Sequence, residues 1–173
     1  YELLRQLCHV RHGQFINPPE AILKFHDKLT TSLFEEAPYI TAASMESIAL
    51  AWQELSQQGH DTFIIKVPSR FGGQGVHKAS SLEELQDCAK ELLDDSGYVI
   101  IQGFVYTGDQ QVDKRVLITP EKLLGCVDRV AAEDSYICNL SSGGFARKSG
   151  PLNDTQKSTV ALIQNFLVQE NIY

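Results

Sequence analysis

Apolar residues recur every three or four positions in three segments of the chain, and this spacing predicts three amphipathic helices. The first, residues 45–59, follows the capping residue Ser44 and stops at Gly59. The second begins at a capping-box pattern, Ser81 with Glu84. Its apolar positions are Leu82, Leu85, Ala89, Leu92 and Leu93. The third runs from about Asp154 to Gln169, and its expected buried side is Val160, Ile163, Phe166 and Leu167.

Shorter runs rich in β-branched and aromatic residues predict strands. They read TFIIKV, VHKA, YVIIQGFV, KRVLIT and KLLGCVDRV, with PYITAA as a further short extended segment. Residues 1–11 have the composition of a helix tail, residues 21–37 that of a helix, and residues 141–150, SSGGFARKSG, that of a loop. Neighbouring strands joined by short turns favour antiparallel pairing. The order of elements therefore predicts an α+β fold rather than alternating βαβ units.

Composition narrows the class of protein. The 173 residues are 43% hydrophobic and 21% charged, as in ordinary soluble globular proteins. The net charge of −7 argues against a nucleic-acid partner or an anionic membrane surface. No apolar run reaches the roughly 20 residues that span a bilayer, and no signal peptide opens the sequence. Four cysteines without a C-x-x-C pair indicate reduced thiols, so we expect a cytoplasmic protein.

A cluster of three glycines follows a strand that carries one lysine. Residues 71–79 read FGGQGVHKA, and Lys66 lies near the end of the preceding apolar run. Backbone N–H groups of such a cluster can form an anion-binding concavity, with the lysine as a second phosphate contact. A flexible hairpin turn explains the glycines equally well. Neither a Walker loop nor a dinucleotide fingerprint matches, because the required residues and spacing are missing.

Motifs placed in order along residues 15–173 resemble those of the ATP-grasp superfamily, in particular bacterial glutathione synthetases and ribosomal-protein glutamate ligases. They read HDKL, IIKVPSRFGGQGV, YVIIQGFV, VDKRVLI, VDRVA, NLSSGG and LNDTQ. No single motif is strong, but their order and spacing together are specific. The resemblance implies two α+β lobes with antiparallel sheets that clasp a nucleotide. It divides the chain into the tail of a preceding domain (1–16), a lobe with the glycine-rich loop (17–97) and a truncated second lobe (98–173).

The resemblance also implies a reaction, the ATP-dependent ligation of a carboxylate to an amine through an acyl phosphate. The partners would be ATP, an amino-acid or peptide carboxylate and an amine acceptor. Positioning and charge neutralisation are what phosphoryl transfer requires from a protein. By resemblance, the nucleotide is bound by Lys28, Lys66, Gly72, Gly73, Gly75, Gln102, Gly103, Phe104, Val105 and Asp113. Catalytic roles fall to Arg115, Arg129 and Asn139.

Each assignment has a simpler alternative. For the two lysines and the two arginines the alternative is a solvated surface position, and residues 102–105 are equally compatible with a plain core strand. Two positions depart from the family pattern. Gly103 stands where relatives often have Glu or Arg, so a side-chain contact is lost, and Ile137 stands where they often have Arg.

Relatives hold Mg²⁺ with an Asp and a Glu-x-Asn pair on strands that follow the final helix. Here we expect those ligands to lie beyond Tyr173, outside this segment, and we expect the segment alone to bind nucleotide weakly and to catalyse poorly. The missing parts would leave apolar surface exposed, which keeps a homo-oligomer open. The alternative functions are a degenerate ATP-grasp domain that binds nucleotide or protein without ligase chemistry, and a domain that binds no nucleotide.

Overall fold

The computed structural model describes residues 28–33 and 39–172, together with Leu3, Gln6, Asn17, Ala21 and Phe25. Its backbone forms two compact units. We name Asp27–Tyr106 the loop unit, because it contains the glycine-rich loop, and Tyr1–His26 with Thr107–Tyr173 the hairpin unit. Apart from the helical residues Leu3 and Gln6, the predicted N-terminal tail 1–16 lies outside the described residues.

The loop unit is a four-stranded antiparallel sheet covered by two helices. Its strands are β1 (Ile40–Ala42), β2 (Phe63–Lys66), β3 (Val76–Ala79) and β4 (Val99–Gly103), in the order β1-β4-β2-β3. Its helices are α1 (Met45–Gln57) and α2 (Leu82–Ser96), and a 3-10 helix spans Lys28–Leu33. The helices were predicted from their apolar spacing and the strands from their β-branched and aromatic residues. Residues 21–37 have the composition of a helix; Ala21 and Phe25 are helical, Lys28–Leu33 form a 3-10 helix, and the other residues of this segment lie outside the described ones.

Both helices of the loop unit begin at the predicted serines, but the capping box of α2 is incomplete. The Ser44 hydroxyl accepts from the Ser47 N–H, and the Ser47 side chain accepts from the Ser44 N–H in return. Ser81 likewise accepts from the Glu84 N–H. The Glu84 carboxylate accepts from the N–H of Ser80 at 2.7 Å rather than from that of the cap residue. The capping-box pattern therefore predicted the start of the helix correctly. It predicted the N–H of Ser81 as the partner of Glu84, whereas the observed partner is the N–H of Ser80.

The hydrophobic core of the loop unit lies between the helices and one face of the sheet. Its thirteen buried members come from both helices and all four strands, and the largest fully buried ones are Phe63, Ile48, Leu55, Ile65 and Leu85. Trp52, the only tryptophan of the chain, packs on Phe63 with ring centroids 4.2 Å apart. Core residues of β2 and β4 thus face the helices, which leaves the alternate residues of both strands on the opposite face.

The hairpin unit contains a three-stranded antiparallel sheet in the order β5-β6-β7 and one long helix. The elements are β5 (Val112–Ile118), β6 (Leu123–Val130), β7 (Phe145–Lys148) and α3 (Asp154–Gln169), with a 3-10 turn at Leu140–Ser142. The prediction of a loop over 141–150 was wrong, because Phe145–Lys148 pairs with Val127–Val130. All four β7 side chains are exposed, so the strand has no apolar alternation and is held by its backbone pairing with β6.

The long helix α3 packs less deeply than its apolar spacing predicted. Val160, Ile163, Phe166 and Leu167 are half-buried, and no residue of α3 is fully buried.

The boundary predicted between 97 and 98 also differs from the backbone division. Strand β4 pairs with β1 and β2 and so lies in the loop unit, which ends at Tyr106. No helix within the described residues is long and apolar enough to cross a membrane.

Candidate functional site

The loop between β2 and β3 adopts the backbone conformation that its glycines permit. Gly72, Gly73 and Gly75 have φ values of +67°, +84° and +63°, a region that residues with a Cβ rarely occupy. The N–H of Val67 donates to the Gly75 carbonyl at 3.2 Å, which closes the loop at its base. At its tip, Arg70 forms a 2.6 Å ion pair with Asp95 near the end of α2. The glycines therefore shape a defined loop, which we call the glycine loop (residues 67–75).

Lys28 is directed at the glycine loop from the 3-10 helix. Its ammonium donates to the carbonyls of Val67 at 2.8 Å and Pro68 at 3.2 Å, and also to the carbonyl of Arg70. An ammonium carries three N–H donors, and three carbonyl oxygens of the glycine loop accept from this one. The lysine thus places a positive charge beside the loop backbone. Its assignment as a nucleotide contact stays a prediction.

Lys66 ends β2 on the side of the sheet that the helices leave uncovered. Burial, followed by the positive charge of Lys28, lowers its pKa from 10.5 to about 8. Its ammonium donates to Oε1 of Gln102 at 2.5 Å. The structure therefore brings together three predicted residues, Lys28, Lys66 and Gln102, within the loop unit. Two like charges held near one another in a partly desolvated place are stabilised when an anion binds between them.

The end of β4 and the two residues after it contain four predicted nucleotide contacts, Gln102, Gly103, Phe104 and Val105, which we call the hinge segment. The Phe104 N–H donates to the Thr62 carbonyl at 2.8 Å, and the Phe104 ring meets that of Tyr106 edge to face at 4.7 Å. The Lys78 ammonium lies 4.6 Å from the Phe104 ring centroid. Val105 is exposed. These contacts fix the backbone of the segment while leaving part of it accessible.

Gly103 was interpreted as a lost side-chain contact, and the structure gives a different reason for the glycine. It follows the core residue Ile101 by two positions, so it faces the helix-covered side of the sheet. A Cβ at this position would lie 2.1 Å from Nδ1 of His60. The His60 ring therefore occupies the space of a residue-103 side chain, and a larger residue there is excluded by packing. The sequence offered no signal for this contact.

In the hairpin unit, Asp113 and Arg129 are cross-strand partners on β5 and β6. Arg129 donates from Nε to Oδ1 of Asp113 at 2.7 Å and from Nη2 to Oδ2 at 2.5 Å. These two hydrogen bonds raise the pKa of Arg129. The guanidinium fork of Arg129, to which the resemblance gave a catalytic role, is thus engaged by a carboxylate of the protein itself.

The remaining predicted residues of the hairpin unit lie on β5 and in the turn before β7. Arg115 is exposed and pairs in register with Val127. The Asn139 carbonyl accepts from the N–H groups of Ser142 at 2.9 Å and Gly144 at 3.2 Å. A Cβ on Gly144 would lie 2.8 Å from the Cys138 carbonyl oxygen and 2.9 Å from that of Val130. Only glycine fits at this position, so the NLSSGG turn packs tightly against the end of β6.

An ionic network that the sequence did not predict lies on the other face of the same sheet. Asp128 accepts from Lys114 at 2.7 Å and from the Ser149 hydroxyl at 2.8 Å, and Arg147 lies 3.7 Å away. Hydrogen bonds from Lys114 and then Ser149 are the main causes that lower the pKa of Asp128. Arg147 and Ser149 lie in the segment predicted to be a loop, and only recognition of β7 as a strand could have placed them beside β6.

The described residues offer no ligand set for a metal ion. No group of three or more His, Cys, Asp or Glu side chains within them is arranged to hold one. The expectation that Mg²⁺ ligands lie beyond Tyr173 stays a prediction.

Comparisons with known proteins agree with the order of motifs. Residues 27–173 match the family described as prokaryotic glutathione synthetase, ATP-grasp domain. The glutathione synthetase of Prochlorococcus marinus subsp. pastoris is 25% identical over 167 residues, which are 94% of this chain and 52% of that protein. This chain spans about half the length of the curated relatives it matches.

Two solved structures share the fold. D-alanyl-alanine synthetase A from Vibrio cholerae superposes with a TM-score of 0.69 at 16% identity, over 97% of this chain and 55% of that one. The biotin carboxylase domain of Hydrogenobacter thermophilus 2-oxoglutarate carboxylase, in complex with MgADP, gives 0.68 at 15% identity, over 99% and 40%. At identities this low, the similarity concerns the fold alone. The similarity of fold confirms the predicted α+β ATP-grasp architecture.

Proposed function

Because the chain belongs to the prokaryotic glutathione synthetase ATP-grasp domain family, we propose that it is the ATP-binding portion of an ATP-dependent carboxylate–amine ligase. The family assignment covers 27–173 and so includes every predicted site residue. The whole protein would act on an amino-acid or peptide carboxylate and an amine acceptor. A cytoplasmic location belongs to the same proposal.

The observation that carries the proposal is the lysine pair beside the glycine loop. Lys66 has a pKa lowered to about 8 by burial and by the charge of Lys28. Such an arrangement costs free energy in the unliganded protein, and a polyphosphate would repay that cost by neutralising both charges. The adjoining loop has three glycines with positive φ, which suits close approach of its backbone N–H groups to phosphate oxygens. The residues present therefore fit a nucleoside triphosphate as substrate.

The proposed reaction has two steps. An oxygen of the substrate carboxylate attacks the γ-phosphorus of ATP, and the bond from that phosphorus to the β-bridging oxygen breaks, which gives an acyl phosphate and ADP. The amine then attacks the acyl carbon, loses a proton, and expels inorganic phosphate to leave an amide. In this scheme Lys28 and Lys66 neutralise phosphate charge, and the glycine loop excludes water from the phosphates.

The other predicted roles remain proposals with different support. Gln102, Gly103, Phe104 and Val105 would present the backbone of the hinge segment to an adenine edge, and Asp113 would lie near the nucleotide. Arg115, Arg129 and Asn139 would contact the transferred phosphate or the substrate carboxylate. Mg²⁺ is expected for this chemistry, but the described residues contain no ligand set for it, so no step here is assigned to a metal.

Nucleotide binding tests the proposal directly. ADP titrated into the protein in a calorimeter should bind, and Lys66→Met should weaken that binding by about a hundredfold, because hydrogen bonds to charged groups contribute about 1.5–3 kcal/mol. The matched control is Lys90→Met, which removes an exposed lysine of the same unit. Equal affinities of wild type and Lys66→Met would overturn the assignment of the phosphate site.

A second candidate, a degenerate ATP-grasp domain without ligase activity, is favoured by one observation. The Arg129 fork is already occupied by Asp113 through two hydrogen bonds. The two candidates differ in chemistry rather than in nucleotide binding. Full-length protein incubated with ATP, Mg²⁺, a panel of amino acids and hydroxylamine should form an acyl hydroxamate if the acyl phosphate exists. ADP binding without any hydroxamate, for every amino acid of the panel, would favour the degenerate domain.

A further inference from the structure

One exposed face of the β5-β6-β7 sheet carries two basic side chains in a single cross-strand row. Arg115 pairs with Val127, and Val127 pairs with Lys148. We propose that Lys148, together with Arg115, binds an oxyanion of the substrate. The identity of that oxyanion as part of a ligase substrate rests on the proposed function, whereas the existence of the site does not.

Strand register places the two cations on the same side of the sheet. Directly paired residues of antiparallel strands point to the same face, and neighbouring strands lie about 4.8 Å apart. Arg115 and Lys148 are therefore separated by one strand, with their backbones about 10 Å apart. Only the short side chain of Val127 stands between them. Two long, exposed side chains at this spacing can converge on one carboxylate or phosphate group.

Within the part of the chain that the structure describes, no ion pair compensates the charge of this row. Both side chains are exposed, and within residues 28–33 and 39–172 neither forms an ion pair or a side-chain hydrogen bond. The nearest acid on the same face, Asp113, is engaged by Arg129 through both carboxylate oxygens. Asp128 lies on the opposite face with Lys114. Two neighbouring positive charges without a counter-charge are notable in a chain whose net charge is −7.

The pairing also gives Lys148 a role that the sequence did not assign. Position 137 is Ile in this chain where the resemblance would place Arg, so one cationic contact is missing there. Lys148 supplies a cation on a strand that was predicted to be a loop. The ligand could be a carboxylate of the acyl substrate or a phosphate group, and both present the same paired oxygens to a guanidinium and an ammonium.

Two probes separate these sources. L-Glutamate and pyrophosphate are titrated separately into ¹⁵N-labelled protein, and the amide shifts of residues 115, 127, 146 and 148 are followed. Lys148→Gln should weaken binding of the effective probe about tenfold, a loss equivalent to about 1.4 kcal/mol. Lys148→Arg, which keeps the charge, should retain most of the affinity. The control is Lys122→Gln, which removes an exposed lysine from the turn between β5 and β6 of the same unit.

The outcomes are distinct. Shifts on this row with glutamate assign the site to a carboxylate, and shifts with pyrophosphate alone assign it to a phosphate. Equal weakening by Lys148→Gln and Lys122→Gln would show general charge screening and overturn the inference, as would the absence of shifts with both probes. ADP affinity, measured in parallel, should be unchanged in Lys148→Gln if the row takes a carboxylate, and should fall about tenfold if it takes a phosphate. Failure of the wild type to bind ADP would overturn the proposed function and leave the oxyanion result to stand by itself.

Discussion

In the loop unit, Lys66 is partly desolvated and Lys28 donates to three carbonyls of the glycine loop, whereas in the hairpin unit Arg115 and Lys148 stand exposed on the surface of a sheet. Both units build antiparallel sheets whose strands carry basic residues. The difference lies in how far these cations are buried. Burial shifts the pKa of a cation and makes its charge depend on pH, whereas the interactions of an exposed charge are screened by salt.

The two units also differ in their hydrophobic packing, and the loop unit is again the more buried one. The thirteen-residue core belongs entirely to the loop unit. Among the described residues of the hairpin unit, the buried apolar side chains are Ala21, Val130, Ala131, Cys138 and Leu152. The loop unit therefore contains its own hydrophobic core, and we expect its stability to be the more sensitive to core substitutions.

The largest predicted effect sharpens that comparison with two leucines on helices. Leu85 of α2 is fully buried, whereas Leu162 of α3 is 48% exposed. Leu85→Ala should lower the free energy of unfolding by about 2–5 kcal/mol through lost burial and an unfilled cavity. Leu162→Ala should change it by about 1 kcal/mol or less. Urea unfolding followed by the fluorescence of Trp52 and by circular dichroism measures both.

Trp52 lies in α1, so its fluorescence reports on the loop unit, and circular dichroism reports on both units. Leu85→Ala should shift the fluorescence transition at least as much as the dichroism transition. A fluorescence midpoint that Leu85→Ala leaves unchanged would show that the loop unit does not depend on this core.

The sequence predicted the elements that have their own periodic signal and missed those that depend on a partner. Helices α1 and α2 were located because their apolar stripes and caps are local, and β2 and β4 because they are continuous apolar runs. Strand β7 was missed because its side chains are exposed and it is held by its pairing with β6. A single sequence does not contain that information at the position itself.

The features of the candidate site also fall into two groups, those that the order of motifs predicts and those that depend on a partner elsewhere in the fold. Lys28, Lys66 and the glycine loop could be assigned together because their motifs follow one another in order along the chain. The contact of His60 with Gly103, the pairing of Asp113 with Arg129, and the row of Arg115 with Lys148 are cross-strand or tertiary relations. They follow from register, which hydrophobic pattern alone fixes only to a face of the sheet and not to a partner.

The second prediction concerns pH and separates the two sets of cations. The free protein loses the Lys66 proton at a pH of about 8, and bound phosphates favour the protonated form. Above pH 8, ADP must therefore recruit a proton, and its affinity should fall about tenfold per pH unit until the bound form also titrates. Lys66→Arg, whose side chain stays charged, should bind ADP with little dependence on pH between 7 and 10.

The same pKa has the opposite consequence for stability, which provides an internal check. Folding lowers the pKa of Lys66 from its ordinary 10.5, so the folded state binds fewer protons than the unfolded state between about pH 8 and 10.5. The contribution of Lys66 to stability therefore rises as pH rises through this window and is lowest below it. If wild type and Lys66→Arg showed the same pH profile of ADP affinity, Lys66 would not be the titrating phosphate ligand.

The smallest predicted effect is on the free energy of unfolding when an ion pair is broken, and it can be compared for one pair in each unit. Arg70–Asp95 in the loop unit is a single contact with both partners about half exposed, while Arg129 holds Asp113 through two hydrogen bonds and is only 16% exposed. Asp95→Asn should lower the free energy of unfolding by less than about 0.5 kcal/mol, because exposed pairs are screened by water and salt. Asp113→Asn should cost about 1 kcal/mol, because the less exposed guanidinium loses a paired charge.

Asp113→Asn should also release Arg129 for an external anion, so that binding of L-glutamate or pyrophosphate to the hairpin unit tightens while stability falls. A variant that loses stability without any gain in anion affinity would show that the Arg129 fork serves only to join β5 to β6.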